Sequence, residues 1–279
     1  MNPPSFRAIF VSDLDGTLLR DDKTASRKDT QALCELQKHG VLRAVATGRS
    51  IHSARKCLPP DFPVDYLIVS TGNQIIRWPD GEALQSARLT SPEIEKTREL
   101  LTGLGVNFMI HDDFPDTHHF SYHRGPAPSA DFERRLNLHA AYAREYAGLP
   151  GSASQFLAVL DPARDDLFHA IAKASPELSV VRATSPLDNS SIWVEIFARG
   201  VSKASAIDAL LHRHGLNGVL TGAIGNDHND REMLERVHLP YVVAGAFLPH
   251  EPRYIKTPGN NSGAVSFAVS HFLKALNHA

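Results

Sequence analysis

The side chains with the most chemical potential sit directly after short apolar runs. Asp13-Leu14-Asp15-Gly16-Thr17 follows Ile9-Phe10-Val11. A β-rich run of this kind predicts a strand buried on both faces, as in a parallel sheet. Two carboxylates one residue apart at its end cannot both lose their water without a positive neighbour. Mg2+ suits them, since it takes hard oxygen ligands and keeps several waters. A carboxylate can also attack phosphorus and form an acyl phosphate that water hydrolyses. The second aspartate is then placed to protonate a departing alcohol and to deprotonate the attacking water. Gly16 allows a sharp turn that exposes amides to an anion. The same Asp-x-Asp-Gly pattern also suits a plain acidic turn or a calcium loop.

Three more segments end or follow apolar runs. Thr47 offers a hydroxyl and a backbone amide, and Lys203 offers a compact positive charge. Together they suit the non-bridging oxygens of a transferring phosphoryl group; singly, each also reads as a helix cap or a solvated lysine. Gly200-Val201-Ser202-Lys203 lacks the spacing of a Walker phosphate loop. Gly225-Asn226-Asp227-His228-Asn229-Asp230 is a second acidic stretch, readable as a capped loop before a helix.

Positioning these groups at one place requires an open α/β sheet, whose ligands bind outside the carboxyl ends of the strands. The pattern predicts strands at 7–11, 41–46 and 66–69, with a helix after the acidic capping box Ser26-Arg27-Lys28-Asp29 that stops at Gly40. Right-handed crossovers make this the start of a doubly wound parallel sheet. After the strand 75–78 and the turn Pro79-Asp80-Gly81 the character changes. An α+β insert follows, with a helix from 91 to 104 capped by Ser91, strands at 106–110 and 119–123, and a long helix over 129–146. A strand at 156–160, a helix at 165–174 and a strand at 178–183 complete it. The parallel pattern resumes with strands at 192–197, 218–223 and 241–244, helices at 203–214 and from 230, and a closing helix at 263–276 that packs Val265, Phe267, Val269 and Phe272. The expected division is a discontinuous core, 1–84 and 189–279, and an inserted domain, 85–188.

Bulk properties narrow the classes. The 279 residues, 42% of them hydrophobic, support a sizeable core, and 29 basic against 31 acidic residues leave a charge of -2. Such a balance offers no general attraction for nucleic acid or anionic membrane. No apolar run approaches the length of a membrane helix, and the N-terminal stretch lacks a basic-then-apolar leader pattern. Cys34 and Cys57 are too few for a disulfide framework, which points to the cytoplasm. The 15 histidines are scattered; only His118-His119 and His212/His214 lie close, neither with a recognisable ligand set, and they read as ordinary surface or core residues.

In motif order and layout the chain resembles a haloacid dehalogenase superfamily phosphatase, specifically the Cof-like branch. Asp13-Leu-Asp15-Gly-Thr17 matches the nucleophile motif, implying Asp13 as nucleophile and Asp15 as acid/base. Ala46-Thr47-Gly48-Arg49 matches the second motif, with Thr47 implied as holder of phosphoryl oxygens and Gly48 and Arg49 beside it at the substrate. Lys203 matches the branch's lysine, which neutralises phosphate and nucleophile. Gly225 to Asp230, with Met233-Leu234, matches the acidic motif and adds Asn229 as a candidate substrate contact. The resemblance implies Mg2+ held by Asp13, the main-chain carbonyl of Asp15 and the first position of that motif, which is Asn226 here in place of aspartate. Asp227 is the rival ligand, and Asp230 would act through water. The insert resembles the α/β cap that gives substrate selectivity, so His118, His119, Arg124 and Asn189 are candidate cap or hinge contacts. The implied reaction is hydrolysis of a small phosphomonoester, a sugar phosphate or related metabolite. A phosphomutase and a catalytically disabled metabolite-binding protein are the alternatives.

Overall fold

In the computed structural model, which describes residues 6–249 and 251–278, the chain forms two compact units. The first comprises Met1–Arg49, Ser53–Gln85 and Ser202–Ala279; the second, Ser50–His52 and Ser86–Val201. The start of the N-terminal stretch read for a leader, residues 1–5, lies outside the described residues.

The first unit carries the parallel sheet. Its elements in chain order are β1 (Ala8–Asp13), α1 (Arg27–Lys38), β2 (Val41–Ala46), β3 (Tyr66–Val69), β4 (Gln74–Arg77) and β5 (Ala83–Ser86). After the insert come α2 (Lys203–Arg213), β6 (Leu220–Gly225), α3 (Arg231–Arg236), β7 (Leu239–Val243), β8 (Ile255–Thr257) and α4 (Ala264–Leu276). The strand order is β8-β7-β6-β1-β2-β3-β4-β5. Pairing is parallel from β8 through β3 and turns antiparallel at β4. The chain leaves β1 toward β2 and β3 and later fills the other side with β6, β7 and β8. The order therefore reverses at β1, where a doubly wound sheet opens its ligand crevice.

Both faces of β1 are covered, which explains its uninterrupted apolar run. Ile9 and Val11 share a core with Ile207, Leu210, Met233 and Leu234 of α2 and α3. Phe10 points to the other face, where its ring lies 5.3 Å from that of Phe272 on α4. In α1 the Ser26 hydroxyl accepts from the Asp29 amide at 3.0 Å, as the capping pattern predicts, and Leu33 and Leu36 are buried. On α4, Phe267 is 44% exposed, unlike Val265, Val269 and Phe272. Two positions from Val265, it lies some 200° around the helix from that residue.

The second unit is built on a mainly antiparallel six-stranded sheet. Its order is Ser179–Thr184, Ile192–Phe197, Gln155–Leu160, Asn107–His111, Phe120–His123 and Ala143–Glu145, with only the last pair parallel. Alternate residues serve two cores: Phe108, Ile110, Phe156, Ala158, Ile192 and Val194 on one face, Met109, Leu157, Val159 and Trp193 on the other. The strand at 192–197 therefore belongs to this sheet and not to the parallel one, and the return to the first unit comes at Ser202 instead of 189. An apolar run covered on both faces looks the same in either kind of sheet.

Two local readings also change. The cap of the helix Ser91–Gly103 is Thr90, boxed with Glu93. The helix expected over 129–146 ends at Leu138; Ala140–Tyr142 forms a 3-10 turn, and Ala143–Glu145 pairs with Phe120–His123.

Buried His111 gives this unit a pH dependence. Its Nδ1 lies 2.8 Å from the Thr117 carbonyl oxygen. Burial, with the Arg135 charge, pushes its pKa down to about 3. A depressed folded pKa means that the proton binds the unfolded chain first. Stability is whole above about 6.5 and is lost as pH falls toward 3, by at most about 1.4 kcal/mol per pH unit. His111→Asn should flatten this slope in urea denaturation between pH 6.5 and 4; an unchanged slope would assign it to other groups.

Candidate active site

Asp13 is the last residue of β1, level with Ala46 at the end of β2, while Ser12 is level with Ile224 near the end of β6. Parallel pairing thus brings the three strand ends to one edge. Asp13 is 6% exposed, and its Oδ1 accepts from Lys203 Nζ at 2.7 Å. Lys203, fully buried, also donates to Asp230 Oδ1 at 2.6 Å. It opens α2, whose N-cap Ser202 forms a reciprocal box with Ser205. That backbone passes so close to Gly72 that a Cβ there would lie 2.1 Å from the Ser202 carbonyl oxygen. A side chain at 72 would displace the lysine.

Asp230 organises the acidic loop. Its Oδ2 accepts from the backbone amides of Asn226 at 2.8 Å and Asp227 at 3.0 Å. Gly225 leaves room for it, since a Cβ there would fall 2.5 Å from the Asp230 carboxyl carbon. Asp227 Oδ1 accepts from the His228 amide and caps the turn His228–Asp230. Asn229 lies half-buried in that turn.

Asn226, by contrast, faces the first motif. One atom of its amide lies 3.1 Å from the main-chain oxygen of Asp15, 3.2 Å from Asp13 Oδ2 and 3.1 Å from Thr17 Oγ1. With nitrogen in that position the amide shares its two N–H groups among these three oxygens. With oxygen there, it converges with the Asp13 carboxylate and the Asp15 carbonyl, an arrangement that a hard cation stabilises. The charges point the same way, because buried Asp13 and Asp230 share a single ammonium. Burial and the Asp230 charge push the Asp13 pKa up to about 7 despite Lys203. Burial opposes the charge on Lys203, but the two carboxylates outweigh it and hold its pKa above the ordinary lysine value. The donor set, all oxygen when the amide oxygen faces the aspartates, suits a hard divalent cation.

Asp15 is differently placed. Arg49 grips it with two bonds, Nε to Oδ2 and Nη2 to Oδ1, both 2.6 Å, and Lys23 Nζ lies 3.5 Å from Oδ1. Burial alone would raise the Asp15 pKa, but the Arg49 hydrogen bonds and charge, assisted by Lys23, hold it below the usual carboxylate range. Arg49, expected among the substrate contacts, is therefore engaged with the second aspartate. Thr47 is buried, and its backbone amide is already committed to the Ile68 carbonyl oxygen. Only its hydroxyl is suited to an anion: Oγ1 accepts from the Arg49 amide at 3.1 Å and keeps its own proton to donate.

The turn Ser70–Gly72 after β3, outside the four motifs, also abuts the site. Ser70 and Thr71 both adopt positive φ, 46° and 56°, and their amides donate to the carbonyl oxygens of Arg49 and Thr47. Left-handed backbone at non-glycine residues is costly and collects at functional edges. The signal was present as Ser-Thr-Gly-Asn directly after an apolar strand.

The family model for haloacid dehalogenase-like hydrolases matches residues 10–247, spanning all four motifs. The chain belongs to that family. This haloacid dehalogenase-like hydrolase is a phosphatase of the Cof type, in line with its relatives. It is 28% identical to the HMP-PP phosphatase of Yersinia enterocolitica, over 85% of this chain and 84% of that one. It is 25% identical to the 5-amino-6-(5-phospho-D-ribitylamino)uracil phosphatase YitU of Bacillus subtilis, over 95% and 96%. In fold it resembles the phosphatase BT1666 of Bacteroides thetaiotaomicron, with a TM-score of 0.75 at 16% identity, covering 98% of this chain and 97% of that one.

Proposed function

We propose that the enzyme is a Mg2+-dependent phosphatase that hydrolyses a small phosphomonoester, a sugar phosphate or related metabolite, through an aspartyl phosphate on Asp13. The observation that carries this reading is the division of labour around Asp13. One of its oxygens is held by Lys203, and the other faces Asn226 beside the Asp15 carbonyl. The Yersinia and Bacillus relatives are named for small phosphorylated metabolites. Cys34 and Cys57 are both thiols, which fits a reducing cytoplasm.

In the first step Asp13 attacks phosphorus; the bond to the alkoxide breaks, and the proton of Asp15 passes to the leaving oxygen. In the second, water attacks phosphorus, the Asp13–phosphorus bond breaks, and a water proton returns to Asp15. Held by Asp13, the Asp15 main-chain carbonyl and Asn226, Mg2+ would supply positive charge to offset that on the nucleophile and the transferring group. Lys203 and the Thr47 hydroxyl stabilise the same charge from the protein side. Arg49 holds Asp15 ionised, the form needed as base in the second step; acting as acid in the first requires Asp15 to take up a proton against that pairing. A phosphomonoester panel assayed for free phosphate, with Mg2+ and with EDTA, tests the proposal. Turnover without phosphate release, or binding without any turnover, would overturn it.

A prediction on the metal follows from Asn226, whose amide oxygen can ligate but carries no charge. Asn226→Asp should lower the Mg2+ concentration giving half-maximal activity. Asn226→Ala should raise it by about tenfold or more, the scale on which coordination partners act. Mg2+ titrations of phosphate release check both; if the alanine variant titrates like the parent, Asn226 is not a ligand.

A further inference from the structure

We propose that Asp116, His118 and His119 in the second unit form a binding site for a divalent transition ion of the zinc class, separate from the aspartate cluster. The sequence shows two adjacent histidines without a third ligand, and the third arrives only by folding. Residues 112–119 link the antiparallel strands Asn107–His111 and Phe120–His123. The amide of Asp112 donates to the His119 carbonyl oxygen at 3.0 Å and closes the base of this loop. Within it, the amides of Asp116 and His119 donate to the carbonyl oxygens of Asp113 and Asp116, both at 2.8 Å. These turns gather the three side chains, and one ligand atom from each lies within 4.8 Å of the others.

The surroundings hold the imidazoles in place. His118 stacks on His52, a member of the same unit, with centroids 4.2 Å apart and planes 2° from parallel. Tyr142 meets His118 and His119 edge-on at 4.8 and 5.2 Å. His118 and His119 are half-buried and Asp116 is exposed, so an ion and a water as fourth ligand have access. Below the loop, His111 anchors the Thr117 carbonyl between the two ligand positions.

Two imidazoles and one carboxylate select against Mg2+ and for zinc-class ions. A tetrahedral ion with bonds of about 2.1 Å needs its ligand atoms about 3.4 Å apart. Each atom must therefore close in by up to roughly 1 Å, through small changes in side-chain torsion. Binding takes neutral imidazoles and an ionised carboxylate, so it weakens as pH falls.

The test is Zn2+ titration of the whole protein by calorimetry in excess Mg2+, with Co2+ absorption to report coordination geometry. The expected result is one Zn2+ per chain that survives excess Mg2+, and an intense tetrahedral-type Co2+ spectrum. His118→Ala and His119→Ala should each weaken Zn2+ binding by about tenfold or more, and His169→Ala, an exposed histidine elsewhere on this unit, should not. Asp116→Asn, a change on an exposed side chain, keeps the test open should a histidine variant fold poorly, and it should also weaken binding. Absence of Zn2+ binding in the parent, or an unchanged titration in Asp116→Asn or in a folded His118→Ala/His119→Ala protein, would overturn the site.

Discussion

Asp13→Asn is expected to lower the turnover number by about 10⁴-fold or more, the scale seen when a covalent nucleophile is removed, while the protein stays folded. The amide matches the carboxylate in shape but is a poor nucleophile toward phosphorus. Its effect on stability has the opposite sign. Asp13 in the metal-free protein has its pKa pushed up to about 7, against 3.8 as the ordinary value. A raised folded pKa means that the stability linked to this group is whole below about 4 and is lost as pH rises toward 7. The asparagine variant is spared that loss, because it has no carboxylate to ionise in a buried place beside Asp230. In EDTA its stability relative to the parent should therefore rise between pH 4 and 7, as read by urea denaturation. Phosphate release above about 1% of the parent rate by a folded variant would be too fast for a protein without its nucleophile, and the covalent route would have to be abandoned.

Lys203→Met should damage both activity and folding. The ammonium lies fully buried between Asp13 Oδ1 at 2.7 Å and Asp230 Oδ1 at 2.6 Å. Removing it strands two buried carboxylates without their shared ion-pair partner, and breaking a buried pair in this way costs about 3–5 kcal/mol. Loss of the charge that faces the transferring phosphoryl group should lower the turnover number by about 10²- to 10³-fold. In the parent, the stabilisation by Lys203 is whole below 10.5 and is lost only as pH rises through its still higher folded pKa, so it is intact at neutral pH. The variant's deficit should shrink from pH 7 to pH 4, as its stranded carboxylates take up protons. Urea denaturation at the two pH values and a phosphate-release assay read these effects. A variant as stable as the parent at pH 7 would mean that solvent or another cation already balances the two aspartates.

Arginine would not substitute for this lysine. The pocket holds a point charge with one carboxylate on either side, and a planar guanidinium needs more room and a different fork of acceptors.

Features written in short windows of chain are legible from the residues alone. Apolar runs that end in Asp13, Thr47 or Gly225 mark buried strands and the edge where their chemistry appears, because alternation and run length report burial directly. Ser26 with Asp29 marks a helix start, because a cap is a bond between residues three apart. The motifs at Asp13, Thr47, Lys203 and Asn226, in that order, carried the family as well. What depends on distant pairing emerges on folding. Lys203 meets Asp13 across 190 positions of sequence, and Thr17 meets Asn226 across 209. Arg49 turned out to engage Asp15, a partner 34 residues away that no local pattern names. The run at 192–197 could be read for either sheet until its neighbours were known, since burial on both faces erases the alternation that would tell them apart. The helix begun at Ala130 gives way after Leu138 to a 3-10 turn and a strand that pairs with Phe120–His123, so distant pairing outweighed local helix preference. Asp116 joins His118 and His119 for a related reason: the hairpin turn folds the chain back on itself, and spacing along a sequence does not show which way a loop turns its side chains.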